Sequence, residues 1–140
     1  MLSALSAEGA EYLLVGAYAL AVHGRPRAAE AFDVWTRPTP ENAGRVLRAL
    51  GKFGAPLRDL RRDDLASAGV AFQIGLPPRR IDVLTAIDGV EFEEAWLSRT
   101  TVKVGPLTVP VLGRDALACN RRARGRPEDL ADARWLQGEA

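Results

Sequence analysis

Tyr12-Leu13-Leu14-Val15-Gly16-Ala17-Tyr18-Ala19-Leu20-Ala21-Val22-His23-Gly24, followed by Ala31-Phe32-Asp33-Val34-Trp35-Thr36, is the stretch on which the reading of the fold turns. Tyr12 to Val15 is an apolar run too short for periodicity to separate strand from helix, but the glycine after it favours a buried strand that ends in a turn. From Tyr18 to His23 helix formers predominate, and Gly24 with Pro26 beyond it supplies two stop signals. The amino end of that helix therefore falls at Gly16-Ala17. Phe32 to Thr36 is rich in β-formers and is closed by Pro38, which predicts a return strand with Asp33 inside it.

Outward from this unit, Thr39-Pro40-Glu41 places an N-cap, a first-turn proline and an acid in order, and Val46, Leu47 and Leu50 follow at helical spacing. A helix over about 40 to 51 is expected. Arg58 to Ala66 alternates charges with Leu60 and Leu65 and reads as a short surface helix or an irregular connection. Val70 to Ile74 and Arg80 to Ile87 read as the strands of a hairpin across Gly75-Leu76-Pro77-Pro78-Arg79. Val90 to Leu97 forms a short helix, and Thr100 to Val104 with Leu107 to Val111 a second hairpin around Gly105-Pro106. Pro110 is expected on a sheet edge, where a missing N–H does no harm. Gly113-Arg114-Asp115 opens a helix through Arg124, Gly125 closes it, and Pro127 starts a last helix toward Leu136.

The 140 residues suffice for one domain with a proper core, and no linker or repeat divides them. A hydrophobic share of 47% with 26% charged residues is that of an ordinary globular protein. Nineteen basic against eighteen acidic residues give no global attraction to nucleic acid or anionic membrane, so any basic surface is local. Cys119 is the single cysteine, which excludes an internal disulfide and fits a reducing compartment. No apolar run approaches the ~20 residues of a membrane span, and Met1-Leu2-Ser3-Ala4 lacks the basic leader of a signal peptide. A cytoplasmic location is the resulting expectation.

Asp33 and Asp82 lie inside apolar strands, where an ionised carboxylate is costly unless it is paired, metal-bound or turned to solvent. Taken singly, each has an ordinary role open to it as the partner of Arg27, Arg79 or Arg80. Taken with the glycine turn, the pair points to a divalent-metal site, because Mg²⁺ takes one or two carboxylates and leaves its other positions to water and phosphates. Backbone N–H groups at Gly16 and Ala17 would face the phosphates. Strand alternation makes residue 31 the same-face partner of Asp33, and that residue is alanine. Glu30 is the nearest substitute acid, but on a regular strand it points the other way, so its use would need a bulge or a shifted register.

These segments together resemble the nucleotidyltransferase superfamily, in particular the small bacterial nucleotidyltransferase-like proteins akin to the AbiEii toxin group, over most of the chain. In that family a hydrophobic-Gly-Gly/Ser turn precedes a strand bearing Asp-hydrophobic-Asp, and a later strand supplies a third acid. Val15-Gly16-Ala17 matches the turn, Asp33 the second acid and Asp82 the third. Asn120-Arg121-Arg122-Ala123-Arg124-Gly125-Arg126-Pro127-Glu128-Asp129 resembles a further family segment joining the last two helices, whose lysine and aspartate belong to the active site. The departures are Ala31 for the first aspartate, Ala17 for Gly or Ser, and Arg121 for the lysine.

The resemblance implies an α+β fold, a mixed sheet flanked by helices with a C-terminal helical pair. It also implies transfer of a nucleoside monophosphate from a triphosphate to an RNA or protein acceptor, with Mg²⁺ or Mn²⁺ as cofactor. Asp33 and Asp82 would hold metal; Asp33, Asp82, Arg121 and Asp129 would be the catalytic set; Gly16, Ala17, Tyr18 and Arg126 would contact nucleotide. Ala31 leaves open a non-catalytic module that binds nucleotide, RNA or a partner protein, including one half of a toxin and antitoxin pair. Arg121, Arg122, Arg124 and Arg126 either grip phosphates or pair with Glu128, Asp129 and Asp132 as a solvated helix end. His23 is expected to pack or cap, and Cys119 to sit in the core beside Leu117. Trp35 is either a core residue or a base-stacking surface beside Asp33.

Overall fold

The computed structural model describes residues 1–29, 31–77 and 79–138. Glu30, the candidate substitute acid, and Pro78 of the first hairpin loop lie outside them. In chain order the elements are α1 (Leu2–Ala7), β1 (Tyr12–Leu14), α2 (Gly16–Val22), β2 (Ala31–Thr36), α3 (Pro40–Phe53), α4 (Arg62–Leu65), β3 (Ala71–Ile74), β4 (Arg80–Leu84), α5 (Phe92–Leu97), β5 (Thr100–Val104), β6 (Leu107–Val111), α6 (Arg114–Arg124) and α7 (Pro127–Leu136). Among the described residues this is an α+β chain with one mixed six-stranded sheet in the order β3-β4-β2-β1-β6-β5. No helix among them is long and apolar enough to cross a membrane.

Local chemistry accounts for most boundaries. Thr39 caps α3 by accepting the Asn42 N–H at 3.4 Å, and Pro40 fills the first turn where no N–H is required. Asn42, buried one turn into the helix, accepts the Glu11 N–H at 2.7 Å and donates to the carbonyls of Glu11 and Arg37 at 2.9 and 3.0 Å. One amide thus ties α3 to the chain just before β1 and just after β2. Gly125 ends α6 at φ +75°, a left-handed conformation that a Cβ would strain.

The centre of the sheet sets the site. β2 and β4 run parallel with Asp33 opposite Asp82 and Ala31 opposite Arg80, while β1 pairs antiparallel with β2. β3 and β4 form the expected antiparallel hairpin, as do β5 and β6. A single core cluster runs from Leu5 to Leu136 and includes Leu13, Leu20, Val34, Trp35, Leu50 and Leu117. The α6 and α7 helices pack on each other as the C-terminal pair.

Several expectations are corrected. β4 stops at Leu84, with only an isolated bridge between Ile87 and Val90 beyond it. α1 is an element that no cap or proline in the sequence signals; burial of Leu5 holds it in place. Pro110 lies on β6, which by order is an interior strand. The three-residue β1 reaches β6 only at Val111, so the stretch containing Pro110 pairs with β5 on one side alone. Cys119 is exposed, its thiol 3.3 Å from the Gly89 carbonyl. Two residues along a helix turn about 200°, so Cys119 cannot share the buried face of Leu117. Trp35 is 1% exposed and packs edge-on against Phe92, with centroids 4.9 Å apart, which makes it core and removes it as a base platform.

Candidate functional site

Strand alternation and parallel register bring Asp33 and Asp82 onto one face of the sheet, side by side on adjacent strands. Gly16 approaches them from the start of α2. At φ +67° it adopts a backbone conformation suited to glycine, and a Cβ built there would lie 2.5 Å from Asp33 Oδ2. The backbone of the turn is therefore packed directly on the carboxylate, and the Val15 N–H bonds the Asp33 carbonyl at 3.2 Å.

A cleft of about 730 Å³ opens over this pair. Gly16, Ala17, Asp33, Asp82, Arg121, Arg126 and Asp129 all line it, so seven of the eight residues of the implied catalytic and nucleotide-contact sets converge on one hollow. Tyr18 is the exception. It lines a smaller recess of about 180 Å³ that shares Ala17, Arg27 and Ala29 with the cleft. Ala31 also faces the cleft, confirming that the same-face position beside Asp33 carries no ligand atom.

The electrostatics are those of carboxylates crowded by one another and held by arginines. Burial, reinforced by the Asp82 charge, pushes the Asp33 carboxyl up to about 6, against the opposing pull of Arg124, Arg80 and Arg121. Asp82 is gripped by Arg80, whose Nε and Nη2 donate to its two oxygens at 3.0 and 3.3 Å. This is the ion-pair role that the sequence left open for a strand acid. Arg80 is also the register partner of Ala31, so the flank where a further carboxylate would stand is occupied by a guanidinium.

On the opposite wall, Asp129 is 1% exposed and receives Arg126 Nε at 2.8 Å and Arg121 Nη1 at 3.3 Å, with Arg124 Nε at 3.6 Å. Burial opposes ionisation of this carboxyl, but the Arg126 hydrogen bond and the charges of Arg124, Arg126 and Arg121 together hold it below the usual range. Arg121 is 5% exposed, and burial with the neighbouring Arg124 charge lowers its guanidinium despite Asp132 and Asp129. Asp132, wholly buried, binds Arg25 Nε at 3.1 Å and Arg27 Nη2 at 2.5 Å and lies 3.9 Å from Arg121 Nε. The two buried acids of α7 thereby join α6 to the segment between α2 and β2. His23, at the end of α2, is fixed by a 2.8 Å hydrogen bond between Nε2 and the Leu112 carbonyl.

Of the arginines named from the sequence as possible partners of the strand acids, Arg80 takes that role on Asp82, and an Arg-x-Asp spacing on a strand, which puts both side chains on one face, is the signal for it. Arg27 instead binds Asp132, 105 residues away, a partner set by the loop path that no local spacing signals. Among the described residues no three His, Cys, Asp or Glu side chains cluster as metal ligands. The strand carboxylates in the cleft are Asp33 and Asp82, two hard oxygen donors of which Asp82 is paired with Arg80. Scans of protein-family models and of curated proteins return no match to this chain.

Proposed function

We propose that the chain binds a nucleoside triphosphate with Mg²⁺ or Mn²⁺ in this cleft and transfers its nucleoside monophosphate to a hydroxyl of an RNA or protein acceptor. The fold would then be of the nucleotidyltransferase type. The reading is carried by one observation: paired strand carboxylates, a glycine turn packed on one of them, and an arginine-rich helical wall share a single cleft. Asp33 and Asp82 would hold the metal, which supplies charge neutralisation at the phosphates. Arg121, Arg124 and Arg126 face the same space and offer their remaining donors to phosphate oxygens, with Asp129 keeping them in place. In the transfer, an acceptor oxygen bonds the α-phosphorus as its bond to the bridging oxygen breaks. Pyrophosphate leaves with that electron pair, and the hydroxyl proton passes to solvent.

The test is incubation with labelled nucleoside triphosphates, Mg²⁺ or Mn²⁺, and total RNA or protein. Metal-dependent labelling is expected, with its loss in the Asp33→Ala, Asp82→Ala double variant; transfer that persists in that variant overturns the assignment.

A second reading is favoured by the Ala31 and Arg80 register pair, which sets a positive charge beside Asp82. A guanidinium there neutralises the carboxylate without a cation, as suits a non-catalytic module for nucleotide, RNA or a partner protein such as a cognate antitoxin. Binding without turnover and insensitive to chelation selects this reading, and growth arrest on expression separates a toxin from a regulator.

A further inference from the structure

The recess beside the cleft has a composition unlike that of the cleft itself. Ala17, Ala21 and Ala29 give it small apolar walls, Tyr18 presents an aromatic ring, and Arg27 stands at the boundary between the two spaces. Tyr18 remains 47% exposed although the next two residues of α2, Ala19 and Leu20, are fully buried. An edge-to-face contact with Phe32, centroids 4.6 Å apart and planes at 80°, fixes the ring without covering it. Arg27 is likewise held, its Nη2 anchored on the buried Asp132. A rigid exposed ring and an anchored planar cation, bordering an apolar hollow next to a phosphate-suited cleft, form a place for a flat aromatic group.

We infer that Tyr18 carries the nucleobase of the bound nucleoside triphosphate in this recess, with Arg27 at the junction of base and phosphates. The inference rests on the cleft being the triphosphate site and adds where the nucleoside lies. Apart from Arg27 and the Tyr18 hydroxyl, the alanine walls present no side-chain donors or acceptors to a base edge, so stacking carries most of the contact.

The experiment compares ATP with inorganic tripolyphosphate, each with Mg²⁺, by calorimetry on the full chain and on its Tyr18→Ala, Tyr18→Leu and Tyr18→Phe variants. Leucine keeps an apolar contact for Phe32 while removing the ring, so it separates stacking from simple packing. The ratio of ATP to tripolyphosphate affinity should fall about tenfold in the Ala and Leu variants and be retained in Phe. A ratio unchanged by Ala and Leu overturns the base site and leaves the triphosphate cleft standing. Failure of the unsubstituted protein to bind either ligand overturns the cleft reading and this inference with it.

Discussion

At Asp33, stability and the proposed function are set against each other. Its carboxyl is pushed up to about 6 from an ordinary 3.8, so between those values the unfolded chain is ionised while the folded chain still holds the proton. Folding stability from this group therefore falls as pH rises through that window, and the full penalty remains above it. Asp33→Asn should stabilise the metal-free protein by about 1 kcal/mol near pH 7.5, after allowance for solvent screening, with the gain vanishing near pH 4. Urea titrations in a chelator at both values check this; a gain of equal size at both refutes the electrostatic account. Gly16 is the complementary case. Gly16→Ala combines a left-handed backbone with a Cβ 2.5 Å from the Asp33 carboxylate, and should cost about 1–3 kcal/mol and weaken metal-dependent nucleotide binding. Denaturant midpoints and calorimetry read the two effects separately.

Among the elements, the C-terminal pair depends on charges that its own packing removes from water. Asp132 is wholly buried between arginines of α6 and of the segment leading to β2. Asp132→Ala leaves the nearly buried Arg121 with one acidic partner fewer, and should destabilise by about 3 kcal/mol. Arg126→Ala, at an exposed side chain, should cost less, because Arg121 and Arg124 still face the buried Asp129, and thermal melts of the two variants make the comparison. The start of α3 and the junction of α6 with α7 are legible in the sequence: Thr39-Pro40 and Gly125-Arg126-Pro127 state them through capping chemistry that acts within a few residues. The buried faces of these helices are less so. Cys119 reads as a core residue on the inner pattern of Leu117, whereas two residues along a helix lie on different sides and the structure leaves it exposed.

At the level of the whole molecule, one core cluster reaches from Leu5 near one end of the chain to Leu136 near the other. The described residues should accordingly unfold in one step, with far-ultraviolet dichroism and tryptophan fluorescence giving coincident midpoints; separated midpoints refute a single cooperative unit. By itself the sequence determined most of the elements, because propensity, capping and turn residues act locally. It also singled out Asp33, Asp82, Gly16 and the arginine helix end as residues needing an explanation. Only the tertiary structure decided that Asp33 and Asp82 are register partners, that Arg80 takes the flank beside Ala31, and that Arg27 is drawn to Asp132. Strand order and loop path arise from burial summed over the whole core, and no local stretch of sequence carries that sum.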